Sequence, residues 1–118
     1  LAAAPTAKTT DATLTTGEIE PGIITVNNGA AGTTTLTLPL ASAMDSGFAY
    51  VGDGYGINFS VINISTVAAE DCTIATNTGW TLVGSMVVES NDADRAASSG
   101  VFRARKTGTA AWTLYRIS

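Results

Sequence analysis

Histidine is absent from the 118 residues. Its absence excludes Ser-His-Asp and Cys-His nucleophilic arrangements and most zinc sites, and it leaves general acid–base chemistry to carboxylates. Cysteine occurs once, as Cys72, so no intrachain disulfide can form. A buried small hydrophobe is the expected state of that thiol. Charge is sparse, with six basic and ten acidic side chains. No apolar run is long enough to span a bilayer. Leu1-Ala2-Ala3-Ala4 is too short for a secretion signal and lacks its basic flank. The start at Leu1 is read as loss of an initiator methionine or a longer leader.

What is present is threonine and alanine, 19 of each, with 12 glycines. Thr, Val and Ile favour strands, because branching at Cβ packs well on a pleated surface. The most strand-like stretch runs from Tyr55 to Thr66 and is the expected centre of the fold. Ile57, Phe59 and Val61 alternate with Asn58 and Ser60, the period of a half-buried strand. After Val61 the phase slips, because Ile62 and Ile64 flank Asn63. A bulge or a strand covered on both faces is expected there.

Further signals are spread along the chain. Thr15-Thr16-Gly17-Glu18 has capping-box spacing and predicts one helical turn at about 15–19. Leu40 to Ser46, stopped by Gly47, predicts one to two more turns. Strands are expected at Ile23–Val26, Thr33–Leu38, Asp71–Thr76, Trp80–Val83 and Met86–Glu89. Asn27-Asn28-Gly29 and Gly84-Ser85 signal tight connections between them. Gly100–Lys106 and Ala111–Ile117 form a final hairpin around Thr107-Gly108-Thr109, with Phe102, Trp112 and Leu114 toward the core and Arg103 and Arg105 outward. Short strands about ten residues apart predict an all-β fold. The expectation is about eight antiparallel strands in a sandwich or jelly-roll-like barrel, with one or two very short helices. No helical pattern is long enough for a βαβ crossover. Residues 1–12 show no period and read as an extended N-terminal arm, either a loose tail or a segment that docks on a neighbouring subunit. Residues 13–118 form a single domain.

The charges are segregated. Ten acids and Lys8 give residues 1–94 a formal charge of −9, and five basic residues give 95–118 a charge of +5. The basic end is expected to meet either the acidic body of its own chain or the acidic surface of a neighbour. Five basic groups against ten acids do not make a nucleic-acid-binding domain.

Candidate sites are few. Asp45, Asp53, Asp71 and Glu89 are the carboxylates available for a hydrolase pair, which needs two carboxyl groups about 5–10 Å apart across a cleft. Scattered loop acids are more simply solvated. Glu89 to Asp94 is dense in oxygen donors, as calcium prefers, but lacks EF-hand spacing and reads as a solvated loop. Gly52-Asp53-Gly54-Tyr55-Gly56 lacks the lysine of a phosphate loop and reads as a turn. Asn58 and Asn63 head glycosylation tripeptides but fall in the central strand. Trp80, Trp112, Tyr50, Tyr55 and Tyr115 are the aromatics available to stack on sugars, though two tryptophans in a small sandwich usually belong to the core. No catalytic residue, cofactor or metal site is expected.

A wider pattern is present in Leu36-Thr37-Leu38-Pro39, Gly52-Asp53, Phe59-Ser60-Val61-Ile62-Asn63, Gly79 to Gly84, Phe102 to Gly108 and Ala111 to Ile117. From about Thr13 onward the series resembles small β-rich structural domains of tailed-bacteriophage virions, found in head decoration (cement) proteins and in tail fibres. The resemblance implies a non-enzymatic virion protein on the capsid exterior, usually a homo-oligomer and often a homotrimer, that clamps neighbouring capsomers. Its partners would be the major capsid protein and other copies of itself, with no nucleic acid and no membrane. A tail-fibre or spike domain that binds a host-surface glycan is the alternative. Lys8, Arg103, Arg105 and Arg116 are the expected charged contacts.

Overall fold

A computed structural model describes residues 3–29, 32–92 and 98–118. Helix α1 (Thr16–Ile19) opens on the expected capping box. The Glu18 amide donates to Thr15 Oγ1, and the Thr15 amide donates to Glu18 Oε1, so two otherwise orphaned donors are satisfied. Helix α2 (Ala41–Gly47) turns its Ala41 and Met44 side chains to the core.

The strands are β1 (Thr6–Lys8), β2 (Ala12–Thr13), β3 (Ile23–Val26), β4 (Thr34–Thr37), β5 (Gly56–Asn63), β6 (Cys72–Ala75), β7 (Trp80–Val83), β8 (Val87–Val88), β9 (Ser99–Gly108) and β10 (Ala111–Arg116). A six-stranded sheet runs β1-β3-β5-β9-β10-β7, and a four-stranded sheet runs β2-β4-β6-β8. The fold is therefore β-rich, with two sheets and two short helices. Through β8 the chain alternates between the sheets, odd strands in one and even strands in the other.

That alternation corrects the expected antiparallel order. Among the described residues five strand pairings are parallel and three are antiparallel. Parallel neighbours need a crossover, and the usual crossover is a helix. Here a strand of the opposite sheet carries the chain back instead. Asn27-Asn28-Gly29 and Gly84-Ser85 accordingly close no hairpin, because each joins strands of different sheets. The β9–β10 hairpin is antiparallel, as expected. Its left-handed position is taken by Ala110, at φ 50°, and not by Gly108.

The segment expected as an arm for a neighbour lies on its own chain. Strand β1 pairs with β3 and β2 pairs with β4, which raises the strand number above the expected eight. Lys8 forms an ion pair with Glu18, and Thr6 Oγ1 donates to the Glu18 carbonyl at 2.8 Å.

One hydrophobic cluster draws on both sheets and on the connections between them. Ile24, Val26, Phe59, Val61, Phe102, Ala104, Trp112 and Leu114 come from the larger sheet, and Leu36, Cys72, Ile74 and Val88 from the smaller. Leu14, Ile19, Leu38, Met44 and Phe48 fill in from the connections. Phe59 and Phe102 are direct cross-strand partners and stack with centroids 5.7 Å apart.

The expected phase slip in β5 does not occur. Pairing with β3 and β9 is continuous, and Phe59, Val61 and Asn63 alternate inward without a bulge. Ile62 is half-buried and Ile64 is 48 % exposed. The inward position simply goes to a polar residue whose bonds are met. Asn63 Nδ2 donates to the Glu70 carbonyl at 2.8 Å and the Val88 carbonyl at 3.2 Å. Its Oδ1 accepts from the Ser65 amide at 3.1 Å. Asn63 thus ties the β5–β6 loop to the smaller sheet.

Two outcomes follow from this packing. Asn63→Leu removes three hydrogen bonds to backbone groups inside the protein and should cost about 2–4 kcal/mol. Urea unfolding would show a lower midpoint at unchanged slope, and a midpoint equal to the parent would refute the role of Asn63. Deleting residues 1–10 bares the β3 edge and removes Lys8. It should lower the melting temperature, whereas a free arm would leave it unchanged.

Candidate functional site

The basic residues show which charges the fold has left available. Lys8 is held by Glu18. Lys106 sits between Asp45 at 3.7 Å and Asp53 at 3.9 Å. Arg116 turns inward at the end of β10. Its guanidinium lies 5.3 Å from the Phe102 ring centroid, and its N–H groups donate to the carbonyls of Ser85, Val87, Ser99 and Ser118. A Cβ on Gly100 would meet Arg116 Nε at 2.7 Å, so that glycine makes room for the guanidinium. Lys8 and Arg116, expected as partner contacts, both have internal acceptors. Arg95 lies outside the described residues.

Arg103 and Arg105 are different. They sit two apart on β9, so both point away from the core onto the outer face of the larger sheet. Register builds two cross-strand rows there. Arg105 lies between Gly56 and Thr113, with Thr81 beyond, and Arg103 lies between Asn58 and Tyr115, with Val83 beyond. Arg103 Nε donates to Asn58 Oδ1 at 2.9 Å, and Arg105 Nε donates to the Gly54 carbonyl at 3.1 Å. Neither forms an ion pair with a described carboxylate within 4 Å. The two side chains form a ridge between two shallow grooves. Gly54, Tyr55, Gly56 and Asn58 line one groove, and Tyr115 and Ile117 line the other. Tyr55 is 74 % exposed beside the first.

The other candidates fall elsewhere. Trp80 and Trp112 are buried and pack at 6.0 Å between centroids, directly opposite in the β7–β10 register. Their indole N–H groups donate to the Pro39 carbonyl at 2.7 Å and to Asp45 Oδ1 at 2.8 Å. Neither ring can stack on a sugar, which leaves Tyr50, Tyr55 and Tyr115 as the aromatics with exposed surface. Cys72 is fully buried. Burial, with a smaller contribution from the Asp11 charge, pushes its thiol up to about 12, so it is not a nucleophile near neutrality. Asp71 accepts from the Ser90 amide. The oxygen-rich loop from Glu89 to Asp94 runs partly outside the described residues. No cluster of three or more metal-ligating side chains occurs among those that are described.

Asp45 is the carboxylate with the most local consequence. It accepts from Trp112 Nε1 and, at 2.7 Å, from the Ala110 amide, and so pins α2 to the β9–β10 turn. The bond from Trp112, then that from Ala110, then the charge of Lys106 hold it below the usual carboxylate range. A general acid needs the opposite shift. Asp45 and Asp53 both approach Lys106, but Asp45 is committed to structure.

Comparison with protein-family models, with curated proteins and with solved structures finds no match. No helix among the described residues is long and apolar enough to cross a membrane. Fold and site thus define a β-rich protein with one arginine-bearing open sheet face.

The Asp45 clamp has a pH signature. A carboxyl whose folded-state pKa lies below the ordinary 3.8 contributes stability above that value, and the contribution is lost as pH falls through the folded-state pKa. Asp45→Asn should lower the melting temperature at neutral pH and make the decline below about pH 4 shallower than in the parent. Parallel acid limbs for the two proteins would contradict the clamp.

Proposed function

We propose that this chain is a non-enzymatic structural protein of a tailed-bacteriophage virion. It decorates the capsid exterior and clamps neighbouring capsomers through the outer face of its six-stranded sheet. One observation carries the reading: among the described basic residues, only Arg103 and Arg105 are left without an internal carboxylate or a cage of carbonyls. Arginine and tyrosine on an open face are residues that interfaces favour. The resemblance in strand spacing and residue type supports the virion setting. We read the two sheets around one core as a sandwich, and the assembled unit as a homotrimer. Contacts that are individually weak then add, because each unit engages several capsid subunits at once.

A second reading has an observation of its own. Tyr55 stands exposed beside a shallow groove that also holds Asn58 and two arginines. That combination also suits a tail-fibre domain binding an acidic host glycan.

Immunogold labelling of purified virions should place the protein on the head. Labelling of the tail would favour the glycan reading, and unlabelled particles would remove both. Arg103→Ala with Arg105→Ala should cut occupancy on capsids by about tenfold at equal protein concentration, with an unchanged circular dichroism spectrum.

A further inference from the structure

The geometry at Arg103 and Arg105 also specifies what the partner presents, on the premise that the outer face is where a partner binds. Each guanidinium carries five N–H donors in a rigid plane. In both residues the Nε–H is already used, by Asn58 Oδ1 for Arg103 and by the Gly54 carbonyl for Arg105. These bonds set the plane of each head before anything arrives. Neither Nη group of either residue has an acceptor among the described residues. A side chain oriented in advance loses less freedom on binding.

We propose that Arg103 and Arg105 form a pre-oriented double receptor for two carboxylates carried by one acidic segment of a partner protein. Residues two apart on a strand repeat at about 6–7 Å, so the carboxylates must be spaced alike. Asp or Glu at alternate positions of an extended segment meets that spacing. Each carboxylate would accept paired bonds from the Nη edge of one arginine, which a lysine ammonium cannot supply in the same geometry. The neighbouring surface favours a protein over an acidic sugar. Tyr115, Val83 and Ile117 adjoin the arginines on the same face, and Val83 and Ile117 are 45 % and 51 % exposed. A peptide offers apolar side chains to cover them, and a polyuronate does not.

The test follows the Arg103 and Arg105 Nε–Hε signals of the nitrogen-15-labelled protein by NMR. One titrant is a short extended peptide containing Glu-Thr-Glu, and its control contains Gln-Thr-Gln. The Glu peptide should shift both signals and the Gln peptide neither. Arg103→Ala and Arg105→Ala should each raise Kd about tenfold, and Arg→Lys at either site should fail to restore it. Asn58→Ala should raise Kd by a smaller factor, because Arg103 stays charged but loses its anchor. Equal responses to the two peptides, no response, or tighter binding of an oligogalacturonate than of the Glu peptide would overturn the proposal. Peptide binding by a protein absent from virions would sustain this receptor and reject the capsid role. Head labelling without peptide binding would do the reverse.

Discussion

The pairing of β5 with β9 is the constraint on which the rest depends. It is the seam between a parallel run, β1-β3-β5, and the C-terminal group β9-β10-β7. On the inner face it sets Phe59 against Phe102. On the outer face the same register sets Asn58 beside Arg103 and Gly56 beside Arg105. A slip of one residue would send the arginines into the core and Phe102 and Ala104 into water. Burial of that apolar face therefore selects the arrangement of the arginine face, although the two share no contact.

Charge is handled economically. The sequence shows a basic end and an acidic body, which left internal and external pairing both open. The fold pairs some of the basic residues internally and leaves others on an open face. Lys8 and Lys106 find carboxylates, and Arg116 is drawn over Phe102 into a set of carbonyls. Arg103 and Arg105 escape because alternation turns them away from the core, onto rows holding only neutral side chains. Asp45 contributes by tying the turn end of the hairpin to α2, next to the register shift between Ala111 and Trp112.

Much of the local structure was legible in the sequence because it rests on local chemistry. The capping box at Thr15 and Glu18, the short helix after Leu40, the last hairpin and the inward set Phe102, Trp112 and Leu114 all depend on residues close together in the chain. The failures have a common cause. Asn63 was read as a break in the β5 pattern because its partners, Glu70 and Val88, lie on other elements. Trp80 and Trp112 read as core residues, but the acceptors of their N–H groups, Pro39 and Asp45, lie far off in the chain and no local pattern names them. Lys8 and Arg116 looked as available as Arg103 because nothing local marks an internal acceptor.

By itself, then, the sequence determined that the protein is β-rich, that side chains alternate inward along the last hairpin, that these 118 residues hold no histidine and no pair of cysteines, and that positive charge gathers toward residue 118. Periodicity and composition are enough for that, since alternation follows from strand geometry alone. Only the tertiary structure decided that neighbouring strands run mostly parallel, that Thr6–Lys8 and Ala12–Thr13 complete the chain's own sheets, and which of the described cations have internal carboxylates or carbonyls around them. Those outcomes depend on pairing between segments far apart in the chain. Burial of the shared core chooses that pairing, and no short window of residues contains it.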